Sequence, residues 1–157
     1  MIQRIQTVYF LAIVILSGLT FLQPVANLFD LVSTFFYTLN YQGFVMTGEN
    51  ETIVLNNLNT WSLKIVSGLI PLIALVTIFL YKKRVLQIRL SFINAILMLG
   101  YYAVLFIALI QNGSNMNAEW TLNIPVAFPL VCIVLNWLAI RAIGKDEALI
   151  KSLNRLR

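Results

Sequence analysis

Apolar residues along this chain gather into long unbroken runs, and four of them match the thickness of a bilayer. The first extends from Val8 to Leu28 (VYFLAIVILSGLTFLQPVANL) and holds no charge. The second, Trp61 to Tyr81, holds one, Lys64, a turn inside its start; the third, Leu90 to Ile110, holds none; the fourth, Asn123 to Ile143, has only Arg141 near its end. A helix crossing the hydrocarbon needs about 20 mostly apolar residues. A membrane strand would instead alternate apolar and polar positions over about ten. Helices also keep every backbone polar group paired inside the lipid. The pattern predicts an all-α polytopic membrane protein, one four-helix domain over residues 1–157 with spans at about 8–28, 61–81, 90–110 and 123–143.

The connecting segments are patterned too. Between the first two spans, Phe44-Val45-Met46-Thr47 and Thr52-Ile53-Val54-Leu55 are β-prone, and Gly48 to Glu51 is a turn-like separator, so the pair reads as a small β-hairpin. It is either an external docking or lid element or an ordered connector folded over the helix ends. The second is preferred, since an isolated hairpin is marginal unless it packs on something. The segment from Gln111 to Leu122 reads as a turn-rich loop. In the tail, residues 144–157, Leu149, Leu153 and Leu156 share a helical face from which Lys151 and Arg155 point away. With Gly144 as a hinge, this predicts a short amphipathic helix lying on the cytoplasmic surface or docked on a partner.

Composition narrows the function classes. The chain has 60% hydrophobic and 11% charged residues, where a soluble domain has roughly a quarter charged. It contains no His and one Cys, Cys132. Imidazole-ligated metals, haem and His-dependent triads are excluded, as is an intrachain disulfide. No P-loop, CxxC or dinucleotide fingerprint is present. We therefore expect no enzyme activity, no catalytic residues, no metal and no cofactor. Cys132 lies at lipid depth and reads as a small packing residue.

Charge sets the expected orientation. Ten of the eleven cations fall on one side of the four-span arrangement: Arg4, then Lys82, Lys83, Arg84 and Arg89, then Arg141, Lys145, Lys151, Arg155 and Arg157. Lys64 alone falls on the other, together with Asp30, Glu49, Glu51 and Glu119. By the positive-inside rule both termini are cytoplasmic and the hairpin is external. Trp61 and Trp120 then become external interface anchors, and Tyr9 and Tyr81 internal ones. An anchor is preferred over a cleaved signal peptide for the first span, because the run is long for an h-region and lacks a clean small-x-small site. The net charge of +5 does not imply nucleic acid; the cations flank spans and suit anionic headgroups.

Inside the spans, polar groups are few. Asn94 and Asn136 lie in the cytoplasmic halves of spans three and four, where they can hydrogen-bond each other, a contact that averages about 0.6 kcal/mol in membrane proteins. Pro71 removes a donor at the centre of the second span and predicts a kink; Pro129 predicts a bend near the start of the fourth. Pro125 is tolerable near a first turn.

Three segments carry a family resemblance. They are Met1-Ile2-Gln3-Arg4-Ile5-Gln6-Thr7, the loop from Tyr81 to Leu90, and the ending from Arg141-Ala142-Ile143-Gly144-Lys145-Asp146-Glu147 to Leu153-Asn154-Arg155-Leu156-Arg157. Together they resemble the family called domain of unknown function 4293, small four-span membrane proteins of Bacteroidota, over essentially the whole chain. Asn154 stands where the family more commonly has Asp. The resemblance implies no activity and transfers no catalytic residue. All three segments lie on the cytoplasmic side of the topology derived above, and if they act together the working surface is cytoplasmic, made of Arg4, the Lys82 to Arg89 loop and the tail. The expected role is a non-enzymatic accessory or scaffold subunit of a larger inner-membrane complex. The alternative is a small homo-oligomeric channel or transporter.

Overall fold

A computed structural model describes residues 5–30, 36–40, 43–47, 52–55, 59–80, 83–116 and 118–155. Four helices form a bundle: α1 (Ile5–Leu22), α2 (Asn59–Phe79), α3 (Arg84–Met116) and α4 (Phe128–Arg155). All four are long and apolar enough to cross a membrane. Their buried positions follow one rule. Gln6, Phe10, Ile13, Ser17 and Thr20 on α1 are spaced by four and three in turn. The same alternation runs through Gln87, Ser91, Asn94, Met98, Tyr101, Leu105 and Ala108 on α3, and through Cys132, Asn136, Ala139 and Ile143 on α4. A period of 3.5 residues is the signature of helices packed with a left-handed twist.

The chain is not all-helical. Five strands, β1 (Ala26–Asp30), β2 (Phe36–Asn40), β3 (Gly43–Thr47), β4 (Thr52–Leu55) and β5 (Ala118–Leu122), form one sheet in the order β4-β3-β2-β1-β5. All neighbours are antiparallel. The expected hairpin is present as β3–β4, with Phe44 opposite Leu55 and Thr47 opposite Thr52. It is extended by three strands, β2, β1 and β5, that hydropathy alone does not resolve. Hydropathy places most of β1 in the end of the first span and reads β5 as turn-rich loop, while β2 lies in the connector between the first two spans. The first span therefore ends at Leu22 instead of Leu28. Pro24 has no amide to continue the helix and disfavours helical geometry in the residue before it. The Gln23 amide still reaches Leu19 O at 3.0 Å, and the Val25 amide already bonds Leu39 O in the sheet at 2.9 Å.

The sheet covers one end of the bundle. Ala26 and Leu28 on β1 and Tyr37 and Leu39 on β2 alternate onto one buried face, and the register sets Ala26 beside Leu39 and Leu28 beside Tyr37. Cross-strand pairs of this kind are the unit of sheet stability. On β5, Trp120 meets Phe106 of α3 edge-to-face at 6.5 Å, which ties the sheet to the helices.

Two further boundaries differ from the sequence reading. α3 extends past both ends of the expected 90–110, since a helix continues readily once it has left the hydrocarbon. α4 runs through Gly144 to Arg155 with no break; an added Cβ at Gly144 would meet open space, so the glycine is a solvent-facing helix residue and not a hinge.

Candidate functional site

Helix packing divides the polar interior into two zones. At the end opposite the sheet, α1 begins, α2 passes into α3, and α4 finishes. Here Gln6 of α1 donates its side-chain amide to the Asp146 carboxylate of α4. Gln87 donates to Thr77 O at 3.3 Å, joining α3 to α2. Asn136 of α4 donates to Ser91 O of α3 at 2.7 Å. The expected Asn94–Asn136 bond is not made: Asn136 reaches a main-chain oxygen one turn away. Asn94 is 1% exposed, and neither its nitrogen nor its oxygen has a partner among the described residues. Gln87 Oε1 and Asn136 Oδ1 are also unpartnered.

The second zone is a narrow cleft under the sheet. Its mouth is bordered by Gln23, Asn40, Leu63 and Lys64. Its inner part is walled by Ser17 and Thr20 of α1, Ser67 and Ile70 of α2, Tyr101 of α3 and Pro129 of α4, so every helix contributes. Ser17, Thr20 and Ser67 each donate to a carbonyl of their own helix, Ile13 O at 2.6 Å, Leu16 O at 3.0 Å and Lys64 O at 3.1 Å. Such back-bonding lets a hydroxyl sit in an apolar helix cheaply. It also explains why these residues gave no signal in the sequence. The four-three spacing that aligns Tyr101 with Asn94 and Gln87 was the available clue.

Between the two zones lies an apolar layer. Met98, Ala74 and Cys132 are fully buried there, and Cys132 Sγ rests 3.9 Å from Ile13 O, as suits a packing residue.

The prolines occupy different settings. Pro71 lies inside α2. Pro129 is the second residue of α4, just after a 3-10 turn, Ile124–Ala127, with Pro125 at its start. At such a position a missing amide costs little, because first-turn donors have no partner within the helix. Pro129 therefore stands where the 3-10 turn passes into α4. Tyr102 of α3 donates to Val126 O at 2.6 Å and pins this turn.

The cations separate along the bundle. Lys83, Arg89, Arg141 and Lys145 are exposed and Arg84 is half-buried, all at the end away from the sheet, whereas Lys64 is at the sheet end. Arg4, Lys82, Leu156 and Arg157 lie outside the described residues, as does Tyr81, and the same holds for the side chains of Lys151, Arg155, Leu149 and Leu153. At each end a cation sits over an exposed indole: Lys64 Nζ lies 5.3 Å from the Trp61 ring centre and Arg141 Cζ 5.6 Å from that of Trp137. Among the described residues no group of three or more Cys, Asp or Glu could hold a metal ion.

Compared with known families, residues 2–156 match the one described as Domain of unknown function (DUF4293). The chain belongs to the DUF4293 family. The match covers nearly the whole length, so the bundle, the sheet and both polar zones described above all lie within the DUF4293 region. No curated protein matches the chain.

Proposed function

We propose that this protein is a non-enzymatic accessory or scaffold subunit of a larger complex in the inner membrane of a bacterium. Both chain ends would face the cytoplasm, and the sheet would lie outside. The observation that carries this reading is the separation of charge along the bundle, with a basic rim at one end and the sheet at the other. Cations in short loops beside spans remain on the cytoplasmic side, and a basic rim there attracts anionic headgroups or an acidic partner. Apolar side chains exposed along all four helices, such as Leu11, Leu72, Leu99 and Val134, suit lipid or the spans of another subunit.

Reporter fusions test the orientation: both termini should report the cytoplasm and an insertion between β3 and β4 the outside. Purification from native membranes in mild detergent tests the role. A stoichiometric partner protein is expected, and repeated recovery of the bare chain overturns it.

A second reading, a homo-oligomeric channel or transporter, is favoured by two polar zones facing each other across the apolar Met98 layer. Apolar constrictions of that kind gate some conduits. Solute flux in proteoliposomes supports it; a strict monomer without flux removes it.

A further inference from the structure

The cleft under the sheet has a chemical asymmetry that its helices do not resolve. Three of its hydroxyls are committed to their own backbones. Tyr101 is not: it is 1% exposed, its hydroxyl has no hydrogen-bond partner among the described residues, and it lines both the inner and the outer part of the cleft. Toward the mouth, Asn40 Oδ1 is a buried acceptor, also unpartnered. The large majority of buried side-chain polar atoms in native proteins have a partner in protein or in ordered water, and these two border a cleft with room for one.

We propose that this cleft is a binding site for a small uncharged molecule that both donates and accepts hydrogen bonds, namely water, admitted from the sheet end and held by the Tyr101 hydroxyl. Size is the first reason: the two parts of the cleft have room for about one or two water molecules. Polarity is the second. An apolar guest would leave Tyr101 Oη and Asn40 Oδ1 unpaired. Among the described residues the lining holds no carboxylate to receive a cation, and its cation, Lys64, borders the mouth with its ammonium over the Trp61 ring. Water satisfies both ends, accepting from Tyr101, donating to Asn40, and donating also to the spare lone pairs of Ser17, Thr20 and Ser67. From Lys64 to Ile70 the notch follows α2 for about 9 Å, which carries hydration into an otherwise apolar bundle. This site stands apart from the accessory-subunit reading and from the conduit reading, and does not depend on either.

Radiolytic footprinting of the full chain in lipid nanodiscs tests it, because hydroxyl radicals formed from bound water attack the side chain that holds the water. Tyr101 should be oxidised, while Met98, one turn away, fully buried and intrinsically more reactive, should not. Ser67→Leu, which fills the cleft, should abolish the Tyr101 label and leave that of exposed Trp61 unchanged. If Ser67→Leu does not fold, Thr20→Val strips a hydroxyl from the wall at constant size and should reduce the Tyr101 label. Tyr101 as unreactive as Met98 in the native chain overturns the proposal, and so does a Tyr101 label that is undiminished in the folded variant.

Discussion

Asn136 on α4 donates its side-chain amide to the main-chain oxygen of Ser91 on α3 at 2.7 Å, while Asn94, one turn further along α3, faces the same interior without a partner among the described residues. Two similar carboxamides in neighbouring helices therefore have different energetic roles. Replacing each by Leu, which keeps the branching, separates them. Asn136→Leu should lower stability by about 1 kcal/mol, the range of interhelical side-chain bonds in membranes. Asn94→Leu should be neutral or stabilising, because it removes buried polar atoms that nothing on the neighbouring helices satisfies. Unfolding by denaturant in micelles gives both values.

Tyr102→Phe deletes the hydroxyl that reaches Val126 O at 2.6 Å. A loss of about 1 kcal/mol is expected, with faster amide exchange confined to Ile124–Ala127 and the first turn of α4. Exchange read by mass spectrometry checks the location.

Asn123 joins the sheet to the end of α1. Its side chain exchanges two bonds with Asn27, at 3.1 and 3.2 Å, and reaches Pro24 O at 3.2 Å. Asn123→Ala should cost about 1–2 kcal/mol and speed amide exchange in β1 and β5, while that of α2 stays unchanged.

Gln6 and Asp146 hold the start of α1 to the last third of α4. Ala substitutions at the two positions, singly and together, should show a coupling of about 1 kcal/mol or less, because the pair is only part-buried. Additive losses would mean that the contact contributes nothing.

Gly144→Ala tests the continuity of α4. In an exposed helix interior, Ala is favoured over Gly by about 0.5–1 kcal/mol, and the added methyl meets open space. The thermal midpoint should rise. A hinge at this position would lose its freedom with no gain in stability.

What was legible in the sequence follows from how local each signal is. The four helices are visible because length and apolar content act over a whole span. The β3–β4 hairpin is visible because both strands and their turn lie within a dozen residues. β1 is hidden because Ala26, Leu28 and Phe29 are as apolar as a helix end; only Gln23, Pro24 and Val25 separate them from α1. β5 is hidden because Glu119-Trp120-Thr121 becomes a strand by pairing with Phe29-Leu28-Asn27, a partner that no local window contains. Asn94 and Asn136 were rightly seen as interior, but a spacing argument could not tell a side-chain acceptor from the main-chain oxygen of Ser91. The cleft was invisible for a different reason: its hydroxyls look like ordinary tolerated residues until four helices bring them to one place.

The pairing of β1 with β5 also bears on how the molecule is made. Asn27 and Asn123 are 96 residues apart, and all of α2 and α3 lies between them. A nascent chain that has delivered only its first two helices leaves one side of β1 with nothing to pair with. That side closes only when the segment after α3 emerges, so the sheet is completed on the far side of the third crossing. A chain truncated before β5, or inserted in the wrong register, would therefore keep that edge of β1 unpaired.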